Sequence, residues 1–358
     1  MPRILFLGPN SLGSAGRSCS EGLRRLGCDV LDVDEETFIP QASRFTSRIG
    51  RRLLRFRMVR EYNDQILRAA QVFHPDILLA IKGNYLLPDT LRNIGSMKVG
   101  LYNYYPDTSA FTHGKWIPRT LSEYDCVFYT KPFWRQDVTR AIKLKDAYFL
   151  PHGYDPALHR PLRLGPRDIE DFACDVSFIA FHTGYKEEIL SRLIGLRPTL
   201  NLSIWGAGWR QRCRAPQLQR CIRGFHLPGE SYSRGIQAAR INLGIMAGIV
   251  EGASSGDKTT MRTYSIPACG GFMLHERNDE VLELYEEGRE IACFASVEEL
   301  AEKIDYYLAH PEERARIAAA GRARCVPAYS YDNRMAEILR WHSERQGISL
   351  PANVMVQA

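Results

Sequence analysis

The sequence alternates short apolar runs with longer helical patterns along its whole length. In the first half the apolar runs span residues 4–7, 30–33, 76–83, 98–104 and 126–131. In the second half they span residues 176–181, 202–206, 222–227, 241–246 and 272–274. Strand-sized runs separated by helices favour parallel sheets that carry helices on both faces. The alternation therefore predicts an α/β fold built from Rossmann-like domains.

The length of the chain predicts more than one domain. A chain of 358 residues exceeds what one typical hydrophobic core accommodates, and it fits two domains of ordinary size. The helical patterns at residues 297–308, 311–324 and 332–345 close the second half of the sequence. Pro311 suits the first turn of its helix, because that position needs no backbone N–H donor.

Composition indicates a soluble globular protein of the cytoplasm. Apolar residues make up 45% of the chain and charged residues 25%, which is typical of such proteins. There is no apolar run of about 18 residues to span a membrane, and residues 4–7 form a first strand too short for a signal-peptide core. Nine cysteines without a Cys-x-x-Cys pair predict reduced thiols and no zinc site.

The positive charge is concentrated in the first half of the chain. Residues 1–155 contain 22 Lys or Arg against 16 Asp or Glu, which accounts for the net charge of +6, while residues 156–358 contain 25 of each. A helical pattern at residues 44–72 carries Arg48, Arg51, Arg52 and Arg55 beside an apolar stripe. Such a helix either lies on an anionic membrane surface or packs by its apolar side with solvated arginines. The sequence has no motif for nucleic acid around it.

One stretch of the second half, residues 251–274, combines a flexible loop, a helical pattern and a glycine-ended strand. The helical pattern carries Lys258 and Arg262, and their (i, i+4) spacing places both cations on one helical face. A helix start offers unpaired N–H groups and a partial positive charge, which favours a phosphate or diphosphate. The alternative is an ordinary surface helix with two solvated cations.

The same stretch resembles a known family. Residues 260–274, read as TMRTYSIPACGGFML, resemble the donor-site signature of the glycosyl-transferases-group-1 superfamily, in particular its branch around the spore-maturation protein CgeB. The resemblance continues through EGRE at 287–290, SVEEL at 296–300 and HPEER at 310–314. It is close over about residues 240–335 and loose elsewhere.

This resemblance implies a GT-B glycosyltransferase, in which two Rossmann-like domains face a cleft. The proline-rich passage at residues 148–161 resembles the junction after the first domain of such enzymes. The implied division is an acceptor-side domain at residues 1–160 and a nucleotide-sugar domain at 161–330. A C-terminal helix and tail at 331–358 are expected to cross back to the first domain. The implied partners are a nucleotide-diphosphate sugar and a glycan, lipid-linked or small-molecule acceptor.

Within this scheme several residues of the second half are candidates for donor binding. Lys258 and Arg262 would hold the diphosphate without a metal. Where the family usually has a ribose-binding glutamate, this chain has Ser265. Further candidates lie at strand ends and loops, namely His152, His182, Gly206, Gly256 and Thr259. The alternative role is a turn cap for His182 and a structural hydrogen bond for His152.

The first half is expected to supply any catalytic base. Asp107 and His113 lie in a polar loop after the predicted strand at residues 98–104. A reaction that inverts the anomeric centre needs a carboxylate or imidazole to take the acceptor proton. The alternative is a turn role for Asp107 and a helix-entry role for His113.

No metal or cofactor is expected. The glycine loop at residues 8–16 lacks the Gly-x-Gly-x-x-Gly spacing of a nicotinamide site, and the single pair Asp32 and Asp34 fits a solvated strand end. Two alternatives remain to glycosyl transfer. One is a nucleotide-sugar epimerase or hydrolase on the same fold, and the other is a non-catalytic sugar-nucleotide-binding protein, which Ser265 keeps open.

Overall fold

The computed structural model describes residues 1–38 and 48–347, without the side chains of residues 48–54. The chain forms two compact units. Unit 1 contains Met1–Pro151, Ile249–Ser255 and the chain from Tyr331 onward, and unit 2 contains His152–Gly248 and Gly256–Ser330. No helix in the described residues is long and apolar enough to cross a membrane.

Unit 1 is built on a six-stranded parallel sheet. Its strands are β1 (Arg3–Leu7), β2 (Asp29–Val33), β3 (Ile77–Ile81), β4 (Gly100–Tyr105), β5 (Cys126–Tyr129) and β6 (Ala147–Phe149). Their spatial order is β2-β1-β3-β4-β5-β6, and every neighbouring pair is parallel. All residues of β3 and β4 are buried, because helices cover both faces of the sheet.

The helices of unit 1 connect these strands. They are α1 (Ala15–Arg25), α2 (Glu35–Phe38), α3 (Arg48–Phe73), α4 (Pro88–Gly95), α5 (Trp116–Thr120) and α6 (Trp134–Thr139). Ser14 caps α1 by accepting a hydrogen bond from the backbone N–H of Arg17. Helix α3 buries Tyr62, Ile66 and Ala70 in the core, so the apolar side of this helix packs on the sheet.

Unit 2 contains a second six-stranded parallel sheet. Its strands are β7 (Cys174–Ile179), β8 (Leu202–Trp205), β9 (Ile222–Gly224), β10 (Ala239–Gly244), β11 (Met273–Glu276) and β12 (Ala292–Phe294). Their order is β12-β11-β10-β7-β8-β9, with parallel pairing throughout. This is the strand order of a doubly wound dinucleotide-binding sheet.

Eight α-helices belong to unit 2 in the described chain. They are α7 (Pro166–Phe172), α8 (Gly184–Leu196), α9 (Trp209–Arg212), α10 (Glu230–Ala238), α11 (Met261–Ala268), α12 (Asp279–Leu284), α13 (Val297–Ala309) and α14 (Pro311–Cys325). The main core packs α8 and α13 on the sheet through Leu190, Leu193, Leu300 and Ile304. Such burial stabilises each helix far more than its intrinsic propensity does.

The last helix, α15 (Tyr331–Gln346), packs within unit 1. Arg25 of α1 donates to Asp332 through Nε at 2.8 Å and Nη2 at 2.6 Å. Further along α15, Nδ1 of His342 lies 2.7 Å from the hydroxyl oxygen of Tyr102 in β4. The helix is therefore held at both ends by buried or half-buried polar contacts.

The observed fold differs from the predicted one in several details. The short strands β6 and β12 were not predicted as strands. The first unit ends at Pro151 instead of residue 160, and the loop Ile249–Ser255 belongs to unit 1 instead of the donor half. In that loop the backbone N–H of Ser254 donates to Oδ2 of Asp137 at 2.7 Å. Residues 44–47 of the predicted arginine helix lie outside the described chain, and α3 begins at Arg48.

Candidate functional site

In unit 2 two buried cations meet where the strand order reverses. Strands β7 and β10 are neighbours, although their helical connections leave in opposite directions, and such a switch point is where doubly wound folds bind ligands. Lys186 Nζ donates to the carbonyl oxygen of Phe181, just after β7, at 3.3 Å. Arg262 Nη2 donates to the carbonyl oxygen of Ile245, just after β10, at 2.6 Å. Both side chains are thus fixed at the carboxyl edge of the sheet.

Lys186 is unusual because its ammonium group is buried. The residue is 2% exposed, and Nζ lies 3.9 Å from the ring centre of Phe181. The pKa of Lys186 is lowered from 10.5 to about 7, chiefly by burial and also by the guanidinium of Arg262, against the opposing effect of Asp257. A negatively charged ligand at this position would stabilise the protonated amine.

Arg262 is equally enclosed and keeps unused hydrogen-bonding capacity. The residue is 7% exposed, its guanidinium carbon lies 5.2 Å from the ring centre of Phe178, and burial lowers its pKa. Its Nη1 is buried and has no hydrogen-bond partner among the residues that the structure describes. A buried guanidinium without full hydrogen bonding is costly, and an anionic ligand with several oxygen acceptors would relieve that cost.

Local sequence explains how these cations reach the edge. Thr183 caps α8 by accepting a hydrogen bond from the N–H of Lys186 at 3.3 Å, so Lys186 lies in the first turn. The loop after β8 approaches β7 closely at Gly206, where a Cβ atom would lie 1.8 Å from the carbonyl oxygen of Ala180. Only glycine permits this approach. The predicted donor residue Gly206 therefore has a clear structural requirement.

The predicted pairing of Lys258 with Arg262 on one helical face is wrong. Helix α11 begins at Met261 after its N-cap Thr260, so Lys258 precedes the helix. Its Nζ forms an ion pair with Asp279 at 2.7 Å. The local reason is the threonine pair, in which the N–H of Thr260 donates to Oγ1 of Thr263 at 3.0 Å and delays the helix start. The role of Lys258 in donor binding stays a prediction.

Ser265 lies inside unit 2 and presents no surface to a ligand. It is fully buried, and its hydroxyl oxygen lies 2.8 Å from that of Tyr232 in α10. Thr259 is also buried, and its hydroxyl donates to Oε2 of Glu280 at 3.3 Å. The geometry shows structural hydrogen bonds for both, and the expected donor contact of Ser265 would require its helix to move.

The two predicted histidines of unit 2 are enclosed. Gly256 precedes Arg262 by six positions in the sequence. His182 Nε2 lies 2.5 Å from Oε2 of Glu187, and its ring meets Trp209 edge-on at 4.9 Å, so its side chain makes structural contacts within unit 2. His152, the first residue of unit 2, is buried. Gly256 is partly exposed and opens the segment of unit 2 that leads to Arg262.

A pocket of about 370 Å³ lies on the α8 and α13 side of the same sheet edge. Its lining includes Tyr185 and Glu276, and the Tyr185 hydroxyl donates to Oε1 of Glu276. The other carboxylate oxygen of Glu276 accepts from the N–H of Met246 at 3.0 Å. Glu276 and Asp257 are the carboxylates whose charges act on Arg262. They balance part of the positive charge of the cation pair.

In unit 1 the two predicted catalytic residues are brought together. Asp107 Oδ2 lies 3.1 Å from Nε2 of His113 and 2.5 Å from Nζ of Lys82. Lys82 directly follows β3 and has a left-handed backbone with φ of 64°, which is uncommon for a residue with a side chain. Its carbonyl oxygen accepts from Nδ2 of Asn103 in β4 at 3.1 Å. The three side chains thus form one ion-paired cluster.

The cluster keeps Asp107 ionised. Burial raises the pKa of Asp107, but the hydrogen bond from His113 and the ammonium of Lys82 outweigh burial, so its pKa lies below the ordinary value. The ionised carboxylate of Asp107 accepts a hydrogen bond from Nε2–H of His113 and so fixes the orientation of the ring. This arrangement suits Asp107 to orient His113 more than to act as a base.

Of the four arginines predicted to face a membrane or acceptor, only Arg55 has a described side chain. It is exposed, with its guanidinium 5.4 Å from the ring centre of Tyr85. The side chains of Arg48, Arg51 and Arg52 lie outside the described residues.

Sequence reasoning missed Lys186 and Lys82. The Thr183-Gly184-Tyr185-Lys186 start of α8 after a buried strand is a helix N-terminus signal that could have drawn attention to Lys186. For Lys82 the signal was a lysine between an all-apolar strand and a glycine. Neither signal shows that the cation meets a partner from another strand end.

The structure of this chain is similar to those of GT-B glycosyltransferases. It superposes on sucrose-phosphate synthase from Thermosynechococcus elongatus with a TM-score of 0.66 and 12% identity, over 98% of this chain and 100% of that one. It superposes on Anabaena HepE, solved with UDP and glucose, with a TM-score of 0.64 and 14% identity, over 96% of this chain and 100% of HepE. The superposition on a putative UDP-N-acetylglucosamine 2-epimerase from Listeria monocytogenes has a TM-score of 0.56 and 11% identity, over 98% of each chain. These similarities define the class of fold as GT-B.

The sequence itself matches one family. Residues 186–340 match the model of a family described as glycosyl transferase-like. The match begins at Lys186 and contains Arg262, so both buried cations lie within it. No curated protein matches the chain. The resemblance to glycosyltransferases is thus supported by both the fold and the second half of the sequence.

Proposed function

We propose that this protein is a glycosyltransferase that uses a nucleotide-diphosphate sugar. The observation that carries the proposal is the buried pair Lys186 and Arg262 at the switch point of unit 2, with Nη1 of Arg262 unpaired. A diphosphate supplies the anionic oxygen atoms that such a pair lacks. The glycosyl transferase-like match over residues 186–340 and the UDP complex of Anabaena HepE support the same ligand class.

In this reaction an acceptor oxygen forms a bond to the anomeric carbon of the donor. The bond from that carbon to the phosphate oxygen breaks, and its electron pair leaves with the nucleoside diphosphate. Lys186 and Arg262 would stabilise the negative charge that develops on the departing diphosphate. We propose that these two residues can do so without a metal, and that unit 1 supplies acceptor-side groups around Asp107 and His113.

Thermal shift with UDP, GDP and ADP tests the donor site. At least one of them should raise the melting temperature of the wild type by several degrees, since a ligand at 100 times its Kd adds about 2.7 kcal/mol of stability. Arg262→Ala should lose this shift. The matched control is Arg289→Ala, because Arg289 is exposed and forms its ion pair within the described chain with nearby Glu286. No shift in the wild type with any of the three nucleotides would contradict the proposal.

The finer assignment concerns the acceptor and its location. We propose a cytoplasmic enzyme of the CgeB-like branch that acts in polysaccharide biosynthesis, on a glycan or lipid-linked acceptor at the inner face of the membrane. The arginines of α3 and the charge excess of residues 1–155 support it. Flotation with anionic and neutral vesicles is the test, with Arg48, Arg51, Arg52 and Arg55 replaced together by Gln. Equal binding of wild type and variant to anionic vesicles would refute the role of these arginines.

A nucleotide-sugar epimerase or hydrolase is the second candidate, favoured by the similarity to the putative epimerase from Listeria monocytogenes. Incubation with UDP-sugars in the absence of any acceptor separates the two activities. Conversion of one UDP-sugar into another would identify an epimerase. Nucleotide release that increases with an added acceptor would identify a transferase, and binding without any turnover would indicate a sugar-nucleotide-binding protein.

A further inference from the structure

A buried carboxylate lies at the switch point of unit 1, opposite the cluster of Lys82, Asp107 and His113 in that unit. The order β2-β1-β3 reverses direction between β1 and β3, and ligands of doubly wound sheets bind outside the strand ends at such a point. Glu35 is the first residue of α2, two residues after the end of β2, and it is 8% exposed. Asn84, in the loop after β3, donates from Nδ2 to Oε1 of Glu35 at 3.2 Å.

Two loops therefore direct polar groups to this edge. The loop after β3 contributes Lys82 and Asn84, and its left-handed residues Lys82 and Gly83 have φ of 64° and 80°. This turn allows Lys82 to reach Asp107 while Asn84 reaches Glu35. Strained backbone that orients two polar side chains is common at functional sites. Neither contact is needed for the regular structure of β3.

The charges around Glu35 come from several elements. Lys82 and the amide of Asn84 favour its ionised form, whereas Asp34 and Glu36 disfavour it. The phenols of Tyr62 in α3 and Tyr124 before β5 also face its charge. The largest effect is burial, which raises the pKa of Glu35 from 4.5 to about 7. Glu35 therefore exchanges a proton near neutral pH, which is the property that a general base needs.

Asp107 has the opposite character. Its Oδ2 is occupied by Lys82 and His113, and these partners hold its pKa below the ordinary value. A carboxylate so stabilised has a low affinity for protons. Two carboxylates with different environments at one sheet edge can divide the roles of base and orienting group.

We propose that Glu35 is the residue that takes the proton from the acceptor hydroxyl, with Asn84 positioning it and Asp107 and His113 binding the acceptor. The inference rests on the proposed glycosyl transfer. The acceptor O–H bond breaks and its proton moves to a carboxylate oxygen of Glu35. The acceptor oxygen bonds to the anomeric carbon, and the nucleoside diphosphate leaves with the electron pair of the broken bond. Glu35 then returns its proton to water.

Nucleotide release from UDP-glucose, UDP-galactose and UDP-N-acetylglucosamine tests the proposal, with water as the acceptor. For the donor that turns over fastest, Glu35→Gln should reduce the rate at least 100-fold, since general base catalysis contributes typically 100- to 10,000-fold. Glu35→Asp should restore part of the rate. The wild-type rate should rise with pH and level off above about pH 7, and Glu35→Gln should lack this rise. The matched control Glu61→Gln, an exposed residue of α3, should keep both rate and profile.

Two further measurements separate the possible outcomes. Thermal shift with UDP should be the same for Glu35→Gln and the wild type, which shows that the variant folds and binds nucleotide. Normal turnover in Glu35→Gln would overturn the role of Glu35 and leave the proposed function intact. Failure of the wild type to release nucleotide from any of these donors, with water alone and with added sugar acceptors, would overturn the proposed transfer from UDP-sugars, and this inference with it.

Discussion

The ammonium nitrogen of Lys82 lies 2.5 Å from Oδ2 of Asp107, and this contact holds the carboxylate in its ionised form. Removing the cation leaves a half-buried negative charge that, among the described residues, keeps His113 as its partner. Lys82→Met should therefore destabilise the protein by about 1 to 3 kcal/mol at pH 7, between the values typical of exposed and of buried ion pairs. Melting temperatures of Lys82→Met and of Lys143→Met, an exposed control, measure the effect.

The sign of the pH dependence follows from the lowered pKa of Asp107. Its stabilising contribution is fully present above the unfolded pKa of about 4 and is lost as the pH falls through the folded value. The difference in melting temperature between wild type and Lys82→Met should therefore shrink as the pH is lowered below about 4. A constant difference across pH would show that the pair does not control the ionisation of Asp107.

Nucleotide affinity should depend on three cations to different degrees. Arg262→Ala and Lys186→Met remove buried charge beside the proposed diphosphate, so each should weaken UDP binding at least tenfold, about 1.4 kcal/mol. Lys258→Met should have a smaller effect, because Lys258 already pairs with Asp279. Isothermal titration calorimetry gives the three dissociation constants. A larger loss of UDP affinity in Lys258→Met than in Lys186→Met would instead place the diphosphate beside Lys258, as the sequence predicted.

Diphosphate binding should take up a proton. Free Lys186 has a pKa of about 7 because of its burial and the nearby Arg262, and a bound anion would raise it. Affinity should then fall as the pH rises above about 7, approaching tenfold per pH unit. Calorimetry in buffers of different ionisation enthalpy measures the proton directly. Lys186→Met should remove both the uptake and the pH dependence, whereas Arg289→Ala should retain them.

Glu35 should make the protein less stable at alkaline pH. Because its folded pKa of about 7 exceeds the ordinary value of 4.5, its favourable contribution is fully present below about pH 4.5 and is lost as the pH rises through 7. The loss corresponds to about 3 kcal/mol. Glu35→Gln should match the wild type at pH 5 and exceed it in melting temperature at pH 8. Equal melting temperatures of Glu35→Gln and the wild type at both pH values would contradict the burial of the Glu35 carboxylate.

Gly206 should tolerate no side chain. In Gly206→Ala the new Cβ would lie 1.8 Å from the carbonyl oxygen of Ala180, so the loop after β8 must move. We expect a loss of about 3 kcal/mol or insoluble protein. Gly195→Ala in α8 is the control, because a Cβ there meets no atom within 4 Å and alanine favours a helix. A melting temperature of Gly206→Ala equal to that of the wild type would disprove the close approach of position 206 to the Ala180 carbonyl oxygen.

Much of the fold could be predicted because the hydrophobicity and periodicity of short segments are local properties of the sequence. The apolar run at residues 76–83 could only become a buried parallel strand, and β3 is buried at every position. Pro311 begins α14 as predicted. The short strands β6 and β12, of three residues each, lack enough residues to show a period. The start of α11 is set by the hydrogen bond between Thr260 and Thr263. In the sequence this pair is a weaker signal than the (i, i+4) spacing of Lys258 and Arg262, which predicted an earlier start.

The candidate site was predicted less well. Sequence alone brought Asp107 and His113 into one loop, since they are close in the chain, and it selected Arg262 through a family resemblance. Lys186 could not be paired with Arg262, because 75 positions separate them and only the adjacency of β7 and β10 brings their side chains to one edge. In unit 1 the neighbours of Glu35 and Lys82 could not be predicted either, because they too come from distant parts of the sequence.

The sequence by itself determined the α/β class, most of the strands and helices, and a second half similar to glycosyltransferases. These properties depend on the order of apolar and polar residues along short segments. Tertiary structure alone decided which cations are buried together, which carboxylate is held ionised and which keeps a proton near neutral pH. The physical reason is that a pKa and an unpaired donor depend on burial and on neighbours from distant strands.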